Sequence, residues 1–492
     1  MIEDKDRIVR ELQQIVGPDA VIHDKDELLV YECDGATFFR APPEIVVLPT
    51  TAHEVAEIVT LCHRERLSFI PRGAGTGLSG GALAIEGGII IGLNRMTRIL
   101  DVDIPNHRAV VEPGVVNVWL AQRISGDGYY YAPDPASQTA CTIGGNVAEN
   151  SGGVHTPKYG ATTNHVLALE VVLPSGETVE IGGKALDPPG YDLVGVFVGS
   201  EGTFGIATRA TVRILRTPEA VKTLMGIFHN IEDASNAVSG VVARGIVPAS
   251  VEMMDNLTIQ AVEKGVQAGY PMDAGAVLLV ELDGPRAEVE AMGDLVVEVL
   301  KAHHVRDVRV AKDEAERQLL WKGRKAALAA MGQIRPDCYL QDAVIPRTKL
   351  PIILKEIEAL SKEYGLPVAN VLHAGDGNLH PFILYDGRYE EEIRKAEELG
   401  GKIMTRCIEM GGSITGEHGV GLEKQDFMPL MYSEDDLDAM MKVKCVFNPD
   451  QLLNPGKIFP TSKSCVEVGR HMRDHLRYEP HRIEKEGLAQ RF

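Results

Sequence analysis

The chain has 492 residues, of which 44% are apolar and 24% charged, and it carries a formal net charge of −20 at pH 7. That length exceeds one ordinary core, and that balance excludes wholesale disorder. The acidic total excludes nucleic acid or an anionic membrane as a main partner, because there is no basic patch to release counterions.

The first stretch, MIEDKDRIVRELQQIVG, is charged and amphipathic. It reads as neither a secretory leader nor a span, and no run of about 18 apolar residues follows anywhere, so a cytoplasmic protein is expected. The cysteines at 33, 62, 141, 338, 407, 445 and 465 form no Cys-x-x-Cys pair. Reduced thiols, with no intrinsic iron–sulfur cluster, are the expectation.

In chain order, residues 3–16 read as a helix. EIVVLP (44–49) is a short β-branched strand leading into TTAHEVAEIVTLCHRERL. Thr51 followed by Glu54 fits a capping box there, and Val55, Ile58, Val59 and Cys62 give one apolar helical face. SFIP then completes a βαβ unit. Short strands follow: GIIIGL (88–93), ILDVDI (99–104), RAVVEPG (108–114), a hairpin at 165–181 and FGIATRATVRIL (204–215). After RTPEA (216–220), KTLMGIF, IEDASNAVSGVVARG, AVLLVELDG and EVEAMGDLVVEVLKAH alternate as β, α, β, α. LPVANVLHAGDGNLHPFILY reads as a hairpin, 389–411 as a long helix, and 461–492 as a polar tail too charged to form a core.

PRGAGTGLSGGA (71–82) formally contains Gly75-x-Gly77-x-x-Gly80. A dinucleotide fingerprint needs a helix to begin at once, and here more glycines and a strand follow, so a nicotinamide site is not expected. Consecutive glycines still let backbone N–H groups converge on an anion. Two further Gly-rich stretches, 133–166 and 195–208, suggest a long polar, phosphate-bearing ligand on a β-rich shell.

PRGAGTGLSGG, PDPASQTACTIGGNVAENSGG, KYGATTNHV and VGSEGTFGI, in that order, resemble the FAD-binding domain of the vanillyl-alcohol oxidase/p-cresol methylhydroxylase (PCMH) flavoproteins. The resemblance implies an α+β fold with a two-part, PCMH-type FAD-binding domain and a ferredoxin-like α+β substrate (cap) domain. It implies FAD held by Pro71, Arg72, Gly73, Ala74, Gly75, Thr76 and Gly77 at the pyrophosphate. Pro133, Asp134, Ser137, Gly144, Gly145, Asn146, Asn150, Gly152 and Gly153 would line the flavin and ribityl. Glu201, Gly202, Gly205 and Ile206 would face the adenine, and Asn454 joins the cofactor set. Thr76 stands where covalent members carry histidine, so the FAD is expected to be non-covalent.

HAGDGNLHP (373–381) raises a second question. Its Gly-containing turn makes the flanking strands antiparallel neighbours and sets His373 and His380 at facing strand ends. They are either the ends of a hydrogen-bonded hairpin or two ligands of one ion, with Asp376 and Asn378 as turn residues. Glu417, hemmed by glycines in GGSITGEHGVG (411–421), is the candidate third ligand.

Those two motifs, with NPGKIFP near the end, resemble the FAD-linked D-2-hydroxyacid dehydrogenases, which include D-lactate and D-2-hydroxyglutarate dehydrogenases and the flavin subunit of glycolate oxidase. The resemblance implies a zinc-like divalent ion (Zn, Mn or Fe) on His373, His380 and Glu417, with His418 as general base. Arg324, in WKGRKAALAAMG, would anchor the substrate carboxylate while hydride passes to the flavin N5. Leu328, Leu340 and Phe382 stand where dicarboxylate-using members carry polar groups, so a small monocarboxylate, glycolate or D-lactate, is expected, with Arg347 weighed as a compensating cation. Expected partners are an iron–sulfur subunit or a quinone acceptor, with membrane association through such partners and a homodimer also weighed. Rival classes are a metal hydrolase and a non-catalytic flavin electron-transfer subunit. The expected layout is a lead-in (1–41), the FAD-binding domain (42–220), the substrate domain (221–411), a segment returning to the flavin site (412–460) and the tail (461–492).

Overall fold

The computed structural model describes residues 2–185 and 189–460; the tail, offered above as a separate segment, lies outside them. The described chain forms two units. One contains residues up to 153, 159–217 and 417 onward; the other contains 154–158 and 218–416. The passages fall at 217/218 and 416/417. The short excursion at 154–158 is not announced by the sequence.

The first unit opens with α1 (Lys5–Val16) and holds, among the described residues, a four-stranded sheet, a five-stranded sheet and a two-stranded pairing of Tyr129–Tyr130 with Leu215–Arg216. One is ordered β1 (Val21–Ile22), β2 (Ile45–Val47), β4 (Ile89–Gly92), β3 (Phe69–Arg72), with β2, β4 and β3 parallel. Every residue of β2 and β4 is buried, as parallel strands covered on both faces require. Helix α2 (Ala52–Arg64) has the capping box of Thr51 and Glu54 and buries Val55, Ile58, Val59 and Cys62. After β3 the glycine loop runs through bends straight to β4, so no helix begins there. Phe69 also pairs with Leu453 as an isolated parallel bridge. The second sheet is antiparallel, in the order β5 (Ile99–Asp103), β6 (Arg108–Val111), β9 (Ile206–Arg213), β7 (Val166–Val172), β8 (Thr178–Gly182). The Gly144–Gly145 pair, inside the Gly-rich stretch 133–166, lies in the first turn of α3 (Ile143–Glu149), with Thr142 as N-cap.

The second unit is an eight-stranded antiparallel sheet flanked by helices. Its path is β13 (Asp307–Val310), β10 (Ala220–Phe228), β12 (Ala276–Gly284), β11 (Ser250–Asp255), β15 (Val368–His373), β16 (Asn378–Tyr385), β14 (Asp337–Leu340), and Ala343–Val344 also pairs with β16. Helices α4 (Ile231–Ala243), α5 (Arg286–Ala302), α7 (Leu350–Tyr364) and α8 (Glu390–Glu409) pack in sequence against one another, α5 on α4, α4 on α7, α7 on α8. Helix α6 (Glu314–Lys325) contributes Leu320 and Trp321 to the core that contains Met225, Leu279, Met254, Val371 and Phe382. Because side chains alternate along a strand, the residues two positions from these share their face. They are Thr223, Glu281, Glu252, His373 and His380, all buried. One apolar sheet face therefore turns polar along a single stripe.

Among the described residues, no helix is long and apolar enough to cross a membrane. Cys33, Cys62, Cys141, Cys338 and Cys407 are free.

Candidate active site

The histidine hairpin turns as its residues dictate. Asp376 Oδ1 accepts the N–H of Asn378 at 3.1 Å, Gly377 takes a left-handed φ of 83°, and Arg347 Nη1 donates to the Gly375 carbonyl at 2.9 Å. In register, His373 lies opposite Asn378 and His380 opposite Val371. The histidines thus meet on a diagonal rather than face to face, with ring centroids 5.2 Å apart and planes at 87°. Each offers a ligand atom within 4.8 Å of the other's.

The Nδ1 contacts fix what each ring can do. His380 Nδ1 lies 3.3 Å from the Gln341 carbonyl, which only accepts, so Nδ1 carries the proton and Nε2 the lone pair. His373 Nδ1 lies 2.9 Å from Glu252 Oε1, which imposes the same tautomer. The other oxygen of Glu252 is 2.5 Å from Arg324 Nη2. Arg324, expected to anchor the substrate carboxylate, is 6% exposed and already ion-paired through one arm. Its Nε is buried with no partner among the described residues.

Glu252 was not anticipated. It is the one acid inside the apolar run SVEMM of β11, and its exposure is 1%. Glu281, further along the stripe, was missed too. It accepts from Thr223 at 2.6 Å, Trp321 Nε1 at 2.5 Å and Arg317 at 3.1 Å, and it faces His155 Nε2 at 3.3 Å. Burial alone would raise its pKa, but these partners, His155 foremost, hold it down at about 2. Lys158, from the same excursion, pairs with Asp283.

Asp342 is fully buried, with Oδ1 4.0 Å from His380 Nδ1. Its Oδ2 accepts the Thr415 hydroxyl at 2.7 Å and the Gly416 N–H at 2.9 Å. Glu417 and His418 follow Gly416 by one and two peptide bonds and are half-buried. Their starting point is therefore held by a residue that also faces His380.

In the first unit, several residues expected at the cofactor are engaged by the chain itself. Arg72 Nη2 donates to the Cys33 carbonyl at 2.7 Å, and Gly75 (φ 69°) leaves room that a Cβ would take from that guanidinium. Asn454 Nδ2 donates to the carbonyls of Gly81 and Glu201, while its Oδ1 accepts from the buried Lys457 ammonium at 2.9 Å. The Glu201 carboxylate, expected beside adenine, accepts the N–H groups of Val420 and Gly421, each at 2.7 Å. Asn146 bonds Asn117 and Ser151, and Asn150, in a left-handed conformation, accepts the Thr163 N–H. Pro133 accepts from Asn117 through its carbonyl. Ser79 Oγ, Ser200 Oγ and Tyr131 OH are buried hydroxyls with no partner among the described residues.

Two family models match the chain: an FAD binding domain over residues 43–182, and the C-terminal domain of FAD linked oxidases over residues 217–458. The chain is 47% identical over 466 residues to the glycolate oxidase subunit GlcD of Escherichia coli (strain K12), covering 95% of this chain and 93% of that protein. It is 36% identical to a D-lactate dehydrogenase of Anaerostipes hadrus, over 86% of this chain and 91% of the relative. A solved p-cresol methylhydroxylase shares the fold with a TM-score of 0.78 at 18% identity, over 93% of this chain and 97% of that one. The chain belongs to the FAD-linked oxidase family and is an FAD-linked hydroxyacid oxidoreductase.

Proposed function

We propose that the chain oxidises a small D-2-hydroxy monocarboxylate, glycolate or D-lactate, to its 2-oxoacid. The names of its relatives support that substrate class. The observation that carries the reading is local: two imidazoles whose Nδ1 atoms are tied back, so that both Nε2 lone pairs serve one site beside a buried arginine.

The donor set fits a divalent ion of the zinc type on His373, His380 and Glu417, since imidazole plus carboxylate suits such ions. When bound, the ion supplies a Lewis acid for the substrate hydroxyl. The unpartnered hydroxyls of Ser79, Ser200 and Tyr131 fit a polar ligand such as FAD in the first unit, held without a covalent bond. When bound, FAD supplies the two-electron acceptor. Arg324 donates from Nε to the substrate carboxylate while Glu252 holds its other arm. His418 takes the hydroxyl proton on an imidazole nitrogen.

Phe382 lies in the core opposite Leu340, Leu328 is 45% exposed, and Arg347 is turned to the Gly375 carbonyl. That set favours a monocarboxylate over D-2-hydroxyglutarate, whose distal charge needs a partner. The word "subunit" in the GlcD relative's name supports a partner chain, and an iron–sulfur or quinone-linked acceptor is the proposed route of reoxidation.

The test is an anaerobic absorbance panel of D- and L-2-hydroxyacids, with and without a chelator. Glycolate or D-lactate is expected to bleach the flavin, the chelator to stop it, and added zinc or manganese to restore it. A flavin that no hydroxyacid bleaches would leave only an electron-transfer role.

A further inference from the structure

We infer that Glu252 is a positioning residue that ties the substrate-binding arginine to the metal-binding histidine, so that one carboxylate sets the affinity of both. The inference rests on the reading of the site given above.

Glu252 has one oxygen on His373 Nδ1 at 2.9 Å and the other on Arg324 Nη2 at 2.5 Å. Its side chain is completely buried, and Arg324 Nη2 itself comes within 3.5 Å of His373 Nδ1. The three groups are brought together from far apart in the chain: Glu252 on β11, Arg324 on α6 and His373 at the end of β15. In register, Glu252 sits directly opposite His373 across the β11–β15 pair.

Two consequences follow from the electrostatics. An anion on Nδ1–H makes the imidazole a stronger donor at Nε2, so it favours a metal. The same anion partly neutralises the guanidinium, so it disfavours a second carboxylate there. Glu252 therefore trades substrate affinity for metal affinity. That balance suits an acid held jointly by the arginine and the ion, because neither then binds it alone with full strength.

The opposite signs make the test. Wild type and Glu252→Gln are purified as flavoproteins and stripped of metal, and flavin content and circular dichroism verify the fold. Zinc affinity is measured by competition with a chromophoric chelator. Acetate, a carboxylate that cannot be oxidised, is titrated into the metal-free protein by flavin difference absorbance. Glu252→Gln is expected to raise the zinc Kd by about 10–100-fold while lowering the acetate Kd. A zinc Kd within about twofold of wild type, or both affinities falling together, overturns the inference.

Arg324→Gln supplies the second arm if Glu252→Gln folds poorly. It leaves the carboxylate to His373 alone, so zinc affinity is expected to hold or rise while acetate binding is lost. Weakened zinc binding in that variant overturns the inference. Wild-type protein that binds no zinc overturns the functional reading itself, and the inference with it.

Discussion

His380 lies one diagonal step across the hairpin from His373, two residues beyond His373's own partner Asn378, with the ring centroids 5.2 Å apart. A diagonal pair shares one sheet face yet leaves the two rings free to stand nearly perpendicular, and the proposed function gives both to one ion. His380→Ala and His373→Gln are therefore expected to retain flavin and lose zinc binding. Flavin reduction by glycolate should slow by on the order of 100-fold or more. Anaerobic stopped-flow absorbance and metal analysis measure both.

The turn between the histidines has little tolerance. A Cβ on Gly377 would stand 2.2 Å from the Ile345 carbonyl oxygen, at a φ that side chains disfavour. Gly377→Ala is expected to cost roughly 1–3 kcal/mol, read by urea unfolding. It should also weaken zinc binding, because the clash moves the strand that carries His380.

Glu201 tests the loop that follows His418. Its two carboxylate oxygens each accept a backbone N–H, from Val420 and from Gly421. Glu201→Gln replaces one acceptor with a donor and strands a buried N–H, at about 1–3 kcal/mol. The expected signature is a fall in the flavin-reduction rate larger than the fall in flavin content.

Glu281 gives a pH dependence. Its folded pKa of about 2 lies below the ordinary 4.5, so its stabilising effect is fully present above pH 4.5 and is lost as the pH falls from 4.5 towards 2. The loss is at most roughly 3 kcal/mol. Glu281→Gln is expected to flatten the dependence of thermal stability over that window, while wild type loses stability steadily across it.

Local chemistry was legible in the sequence. The capping box at Thr51 and Glu54 and the hairpin at 373–380 depend on neighbours a few residues apart, and both formed. The glycine loop after β3 likewise begins no helix. What escaped was set by long-range pairing. The role of Glu252 depends on a strand 121 residues away, and nothing in SVEMM says which face of which sheet it will line. The first turn of α3 was hidden because it lies in a Gly-rich stretch that shows no helical periodicity, and Thr142 caps it nonetheless. For Arg324 the residue was legible and its surroundings were not: the arginine read as the substrate anchor is also ion-paired with a buried acid.

The bridge between Phe69 and Leu453 has a consequence for how the chain is made. Phe69 donates its N–H to the Leu452 carbonyl, and Asn454 donates back to Phe69, so the edge of the first sheet is finished by backbone synthesised nearly four hundred residues later. The unit begun first on the ribosome is thus the last to close. Until residues 452–454 arrive it presents an open strand edge, the kind of surface that recruits chaperones or wrong partners. Truncation before residue 452 should therefore damage the amino-terminal unit rather than the one just completed.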